Sequence, residues 1–242
     1  PAEILDEWIN DDTRKNMLIE KPSSTSSNFL GFNFEPLYEE EYDPDNWSKA
    51  VNNENFRKSI YYAVDREAAV MTSYPYGYEE QMLNTITTKN FVNVDGVDYT
   101  ELEPLKEITN TDQFQEDKAL EYKEKALEEL QGTVTFPVTI VMPYNTSTLA
   151  LTNRVQVEKQ QLENLLGSDY ISIELVPYPP TNYLKESRSS GKFSLMEMGW
   201  GPDYADPAGY TEVMTSNTSI GTKYSRPYLA EDLKDADGNS IY

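Results

Sequence analysis

Residues 199–204 read GWGPDY and combine groups that can bind a charged, peptide-like ligand. The glycines have no side chain, so a ligand backbone can approach closely at Gly199 and Gly201. Trp200 offers a flat apolar wall, and Asp203 adds an anion beside it. These groups suit a ligand that carries an ammonium group and a peptide backbone able to form hydrogen bonds with the backbone of the two glycines. An ordinary turn with a packed tryptophan and a capping aspartate would use the same residue types.

The chain contains no cysteine and no histidine, which excludes several kinds of catalytic and metal site. Zinc sites built on thiolate or imidazole are ruled out, and so is Ser-His-Asp or Cys-His catalysis. Ser189 and Lys192 have the spacing of a serine nucleophile with a lysine base, but the companion motifs of that chemistry are missing. We therefore expect no catalytic residue, no metal ligand and no cofactor.

The formal net charge of −22, from 42 acidic and 20 basic side chains, argues against two classes of partner. A chain this acidic repels nucleic-acid phosphates and anionic membrane surfaces. The charge favours cationic partners, although solubility alone would also explain it. No stretch of the sequence approaches the length of a membrane span.

The second half of the chain alternates strand and helix patterns. This order implies crossover connections and a largely parallel sheet flanked by helices, which is an α/β fold. Ligands of such sheets bind beyond the carboxyl ends of the strands, and residues 199–204 follow the last predicted strand. The predicted elements are strands at 138–142, 171–175 and 193–198 and helices at 151–166 and 182–188.

The first half is less regular, and residues 73–109 show no sustained period, so we predict a long surface excursion there. We predict a tail or loop at 220–242 and treat 1–242 as a single ligand-binding lobe. The other predicted strands are 17–19 and 28–34. A helix is predicted at 4–9, and three further helices are predicted to begin at Asp43, at Asn53 or Asn55, and at Asp65. The last predicted helix of this half runs from Thr111 or Asp112 to Gln131.

Two segments resemble a known family. Residues 56–67, FRKSIYYAVDRE, resemble the VRQALSYAIDRE segment of the peptide/nickel-binding family, extracellular solute-binding protein family 5. Residues 199–207, GWGPDYADP, resemble that family's GWxADYxDP segment, and Tyr183, Gly191 and Phe193 match positions between the two. The similarity spans nearly the whole chain and is greatest to oligopeptide-binding lipoproteins of Gram-positive bacteria. It implies a periplasmic-binding-protein-like type II lobe.

The resemblance also implies a set of ligand contacts. Asp203 matches the aspartate that receives the α-ammonium of a peptide, and the backbone of Gly199 and Gly201 matches positions that pair with the peptide main chain. Arg188 falls near a basic position of some members, whereas Glu197 departs from members that place a cation there. The ligand-binding residues expected on this basis are Arg188, Gly199, Trp200, Gly201, Asp203 and Tyr204.

The function implied by the resemblance is that of the substrate-binding component of an ABC importer. Such a protein captures oligopeptides between two lobes, delivers them to membrane permease subunits and has no enzymatic activity. The similarity covers only the second lobe, and the chain starts at Pro1, so we expect a fragment that lacks the first lobe. We expect an extracellular monomer with a lipid anchor. The alternatives are a signalling-peptide sensor, a surface adhesin or a binder of a non-peptide ligand.

Overall fold

The computed structural model describes residues 2–19 and 24–214. The α-helices of this part of the chain are Ala2–Ile9 (α1), Pro44–Asn52 (α2), Glu54–Ala63 (α3), Arg66–Met71 (α4), Leu105–Thr109 (α5), Glu116–Glu129 (α6), Leu149–Leu166 (α7) and Ala208–Thr211 (α8). Its strands are Ser27–Phe32 (β1), Asn93–Val94 (β2), Val97–Asp98 (β3), Val138–Asn145 (β4), Ile171–Tyr178 (β5) and Leu195–Trp200 (β6). Across the described residues, no helix combines the length and the apolar character needed to cross a bilayer.

Three helices of the first half begin at side-chain caps that the sequence predicts. Asp43 and Asn53 each accept a hydrogen bond from the backbone N–H three residues later, at 3.2 and 2.8 Å. Asp65 accepts from the N–H two residues later, at 3.0 Å. Each bond satisfies a donor that the first turn of a helix leaves unpaired. The predicted starts of α2, α3 and α4 are therefore confirmed.

The strands form two main pairs of opposite kind. β4 and β5 run parallel, from Val138 opposite Ile171 to Asn145 opposite Tyr178, and α7 provides the crossover between them. This unit confirms the predicted parallel pairing. β1 and β6 run antiparallel, a pairing that the strand–helix order of the second half did not predict because β1 comes from the first half. A short antiparallel hairpin joins β2 to β3.

Ser194, the buried residue before β6, connects the two strand pairs. Its N–H donates to the carbonyl of Val141 at 2.8 Å, and its Oγ accepts from the N–H of Val141 at 3.0 Å. Its carbonyl accepts from the N–H of Asn33, just after β1, at 2.9 Å, and its Oγ lies 2.9 Å from the hydroxyl of Tyr38. These bonds hold β6 beside β4.

A cluster of buried aromatic rings fills the core between helices α2 and α3 and the start of β5. The ring of Trp47 meets that of Phe56 edge-on at 6.0 Å, and Phe56 packs on Tyr170 at 5.6 Å. The polar atoms of these rings are satisfied: Trp47 Nε1 donates to the carbonyl of Asn33 at 2.6 Å, and the Tyr170 hydroxyl lies 3.1 Å from Ser59 Oγ. Aromatic residues of the first half thus fix α2 and α3 against the sheet.

Several predicted elements differ in the structure. The predicted strand at 17–19 is wrong, since a 3₁₀ turn occupies Lys15–Met17 and no strand lies within the described residues there. The helix predicted from Thr111 or Asp112 begins later, at Glu116, because Asp112 instead accepts from the N–H of Phe114 in a turn. The buried face of α6 carries Ala119 and Ala126, whereas Leu120 is exposed.

The predicted helix at 182–188 is not regular, because a π-helical turn occupies Lys185–Ser189.

The predicted excursion at 73–109 contains the β2–β3 hairpin and α5. Within it Thr88 is buried, and its Oγ1 lies 2.9 Å from the hydroxyl of Tyr210. The excursion therefore packs partly against α8. The predicted tail at 220–242 lies outside the described residues.

Candidate ligand-binding site

A cavity of about 240 Å³ opens at the carboxyl ends of β4 and β6. Such a position is where α/β sheets bind ligands. Thr148 caps the neighbouring helix α7 by accepting from the N–H of Leu151 at 3.3 Å. The cavity is lined by residues 142–145 of β4, 196–199 of β6, one face of the start of α7, Asn28, and Tyr183, Leu184 and Arg188.

Three charged side chains form one ion cluster in the cavity wall. Arg154 Nε lies 3.3 Å from Oε1 of Glu158, one turn along α7, and Arg154 Nη1 lies 3.2 Å from Oε1 of Glu197 on β6. The side chain of Glu158 is only 5% exposed, whereas that of Glu197 is 30% exposed. Glu197 is therefore the more accessible carboxylate.

Glu158 has an unusual protonation equilibrium. Burial raises the pKa of its carboxyl from 4.5 to about 7; the charge of Arg154 opposes this rise, and that of Glu197 adds to it. Burial disfavours the ionised form because the protein interior solvates charge poorly. Near neutral pH this carboxyl therefore exchanges between charged and neutral forms.

Two of the six predicted site residues, Gly199 and Arg188, line the cavity. Gly199 lies opposite Asn28 of β1, and a Cβ at this position would be 2.7 Å from Asn28 Oδ1. At Gly201 a Cβ would be 2.9 Å from Oγ of Ser26. A side chain at either position would therefore displace the end of the Asn28 or Ser26 side chain, whereas the nearest backbone atoms of this region lie 3.7 Å or more away.

Trp200 is half-buried and does not line the cavity. Its ring packs against the buried cluster of Phe193, Met196, Met198 and Val213. Its Nε1 donates to the carbonyl of Gly209 in α8 at 2.7 Å. The indole therefore anchors the segment after β6 to α8, while part of its ring stays accessible.

Asp203 and Tyr204 lie on the exposed part of the segment, beyond the cavity lining. The Tyr204 hydroxyl donates to Oε2 of Glu212 at 3.1 Å. Four residues of chain span at most about 14 Å, so Asp203 lies within that distance of Gly199 at the cavity edge. A peptide of a few residues can bridge this separation. Within the described residues, no group of three or more carboxylates is arranged to hold a metal ion.

Comparison with protein families identifies the family of the chain. The model of bacterial extracellular solute-binding proteins, family 5 (middle region), matches residues 3–222. The chain belongs to this family. Family 5 proteins bind solutes and are not enzymes.

Curated relatives carry oligopeptide-binding names. The chain is 24% identical to oligopeptide-binding protein AliB of Streptococcus pneumoniae, over 94% of this chain and 39% of AliB. It is 28% identical to AliA of the same species, over 72% of this chain and 30% of AliA. It is 30% identical to the periplasmic oligopeptide-binding protein OppA of Escherichia coli, over 51% of this chain and 23% of OppA. The chain thus spans well under half the length of these relatives.

Solved structures of similar proteins share the fold. An oligopeptide ABC transporter substrate-binding domain from Bacillus anthracis matches with a TM-score of 0.66 and 21% identity, over 84% of this chain and 35% of that one. Listeria monocytogenes OppA bound to peptide matches with a TM-score of 0.65 and 20% identity, over 83% of this chain and 35% of that one. These matches confirm the predicted α/β, periplasmic-binding-protein-like fold.

Among the cavity residues that the sequence analysis did not predict are two charged ones on α7, Arg154 and Glu158. The signal was present in α7: Glu158 falls on the stripe of Val155, Leu162 and Leu166, all of which are buried. A carboxylate on a buried stripe needs a cationic partner, and Arg154 is four residues earlier on the same face. A charged residue within an apolar stripe was therefore the feature that marked the cavity wall.

Proposed function

We propose that the chain forms one of two lobes of an oligopeptide receptor that serves an ABC importer. The observation that carries this proposal is the position of the cavity, which adjoins Gly199 at the start of the GWGPDY segment. That segment resembles the family's peptide-binding segment. The oligopeptide-binding names of the relatives support the same ligand class.

In this proposal Asp203 recognises the amino terminus of the peptide. The α-amino group of a peptide has a pKa of about 7.7–8.0 and is mostly charged at neutral pH. A charge-assisted hydrogen bond to Asp203 reads this group without reading side chains. Asp203 is exposed in this lobe, so closure of the other lobe would cover the pair and strengthen its attraction in a medium of lower dielectric constant.

The remaining predicted residues arrange the rest of the peptide. The main chain of the peptide pairs alongside Gly199 and Gly201, where the absence of side chains permits close approach. The accessible part of the Trp200 ring and the exposed ring of Tyr204 provide apolar contact on either side. Arg188, which lines the cavity, contacts a polar group of the ligand.

The partners and the location belong to the same proposal. The chain is the second lobe of a monomeric, extracellular receptor with a lipid anchor, and closure of the two lobes presents the peptide to the permease. The family's description as extracellular supports the location. The chain matches only 39% of the length of AliB, which supports its assignment as one lobe of a larger protein. Below, "the complete protein" means the receptor that carries both lobes.

Mass spectrometry of ligands that co-purify with the complete protein tests the ligand class. We expect short peptides of mixed sequence; recovery of a non-peptide ligand alone would contradict the proposal. Uptake of a labelled peptide by cells with and without the complete protein tests the transport role. Peptide binding without uptake would instead indicate a sensor or an adhesin.

A further inference from the structure

Glu158 is a buried carboxyl in the wall of a cavity that has room for a ligand side chain. The cavity volume of about 240 Å³ is far above the ~10–15 Å³ that holds one water molecule. The side chain of Glu158 is only 5% exposed, and Arg154, with which it pairs, also pairs with Glu197. Burial disfavours the ionised form of a carboxyl, and a second carboxylate on the same cation weakens the compensation. The proton on Glu158 is therefore sensitive to any further charge that enters the cavity.

The net charge of the cavity wall depends on this proton. Two arginines, Arg154 and Arg188, and two glutamates, Glu158 and Glu197, line the cavity. The arginines keep their charge at neutral pH. With Glu158 ionised, the positive and negative charges of the wall balance. With Glu158 protonated, the wall carries one positive charge in excess. The wall thus has two charge states that differ by a single proton.

The charged and titratable groups around Glu158 come from several elements. Those that share the cavity lining with it are Tyr144 on β4, Arg154 on α7, Tyr183 and Arg188 after β5, and Glu197 on β6. The charges of Glu158, Glu197 and Arg188 all act on the hydroxyl of Tyr183, so these groups surround one space. The charged side chains of α3, α4, α6 and β5, which also pack on α7 or β4, lie outside the lining. Arg66 of α4, for example, donates to Oδ1 of Asn84 at 2.5 Å.

The protonation equilibrium of Glu158 agrees with this position. Burial raises its pKa from 4.5 to about 7, so at neutral pH both charge states of the wall are populated. Burial also raises the pKa of Tyr183 above its usual value, which moves its titration further from neutrality. A small change in the electrostatic potential of the cavity can therefore shift Glu158 toward either form.

We propose that Glu158 adjusts the charge of this cavity to the peptide side chain that enters it. Beside a cationic side chain it releases its proton to the solvent, and the wall becomes neutral. Beside an anionic side chain it takes up a proton from the solvent, and the excess positive charge of the wall balances the ligand. The inference rests on the proposed function, because it requires a peptide in the cleft.

The same cavity therefore accepts side chains of either sign. Its apolar wall, which includes Met142 on β4, Leu151 and Val155 on α7, and Met196 on β6, receives the stem of the side chain. Methionine side chains are flexible and adapt to stems of different shape. In a receptor that recognises the peptide amino terminus through Asp203, such a cavity adds contact area without restricting the sequence of the peptide.

The test counts the protons exchanged when a peptide binds to the complete protein. Calorimetry at pH 7 in two buffers of different ionisation enthalpy gives this number. Peptides of one sequence carry lysine, norleucine or glutamate at one position, and the series is repeated at each position. The α-ammonium is common to all three peptides, so the norleucine peptide is the reference. We expect one position at which lysine releases and glutamate takes up a proton relative to norleucine, each by up to about half a proton.

Glu158→Gln should abolish both exchanges, because an amide does not titrate. The wall of this variant keeps its excess positive charge, so the affinity for the lysine peptide should fall about five-fold relative to that for the glutamate peptide. Glu121→Gln is the matched control: it removes an ion pair with Lys125 on the exposed surface of α6. The hydrogen bond from Lys125 holds the pKa of Glu121 below its usual value, so this variant should keep both exchanges.

The outcomes separate this inference from the proposed function. If the wild-type protein binds no peptide, the proposed function fails. If it binds peptides but lysine and glutamate exchange the same number of protons as norleucine at every position, only the charge adjustment is overturned. Exchanges that persist in Glu158→Gln overturn it as well. If Glu158→Gln does not fold, wild-type measurements at about pH 5.5 and 8.5 decide: both exchanges must be smaller there than at pH 7.

Discussion

Nη1 of Arg154, on α7, lies 3.2 Å from Oε1 of Glu197, on β6, and this ion pair links the helix to the strand that leads into the 199–204 segment. The same guanidinium reaches Glu158 through Nε. Buried ion pairs recover their desolvation cost only in part. The cluster is thus a poor source of stability, and its effect on Glu158 can be measured directly.

Glu158→Gln should stabilise the chain at pH 8 and have little effect at pH 4. The unfolded carboxyl ionises near 4.5 and the folded one near 7, so wild type loses stability as the pH rises between these values. The difference of about 2.5 units corresponds to roughly 3 kcal/mol. Glutamine avoids this cost and can still accept a hydrogen bond from Arg154.

Urea unfolding at pH 4, 6 and 8 measures this effect. The control is Glu124→Gln, which changes an exposed side chain of α6 and should shift the free energy of unfolding by less than about 0.5 kcal/mol at every pH. A variant Glu158→Gln that is less stable than wild type at pH 8 would show that the ionised carboxylate stabilises the fold.

Asp203→Asn should weaken binding of peptides with a free amino terminus to the complete protein by about 2–5 kcal/mol, the range for truncating one member of a buried charge pair. N-acetylated peptides lack the ammonium, so the wild type and the variant should bind them equally. Calorimetry with both peptide forms checks this, with Asp117→Asn on the exposed face of α6 as control. Equal loss for both peptide forms would indicate a structural role for Asp203.

Local signals predicted the starts of α2, α3 and α4, whereas long-range contacts explain the strand pairing that the sequence did not predict. Asp43, Asn53 and Asp65 cap helices through bonds that reach only two or three residues along the chain. The antiparallel pairing of β1 with β6 joins segments far apart in sequence. The alternation of residues within a strand shows which face is buried. It does not show which other strand forms hydrogen bonds with it, so the pairing of β1 with β6 could not be predicted.

In the candidate site too, residues close together in sequence could be predicted, whereas contacts between distant elements could not. The GWGPDY segment stands out in the sequence because its residue types are close together, and the cavity does adjoin its first residue, Gly199. The Arg154–Glu197 pair depends instead on the packing of α7 against β6. Trp200 shows the limit of composition alone: its hydrogen bond to Gly209 could not be inferred without the position of α8.

Gly209→Ala should disturb the ligand-binding segment without touching a ligand. A Cβ at Gly209 would be 2.8 Å from the Cβ of Pro202, whose ring cannot move aside by rotation. Overpacking of this kind costs about 1–3 kcal/mol. The displaced Pro202 precedes Asp203, so we also expect weaker peptide binding by the complete protein.

Gly31→Ala provides the comparison for this substitution. Its Cβ would be 3.0 Å from Cε of Met198, a flexible side chain that can adapt. Thermal unfolding and calorimetry should therefore show smaller losses of stability and of peptide affinity than in Gly209→Ala. Equal losses of peptide affinity in both variants would mean that the 199–204 segment is not held by the contact between Gly209 and Pro202.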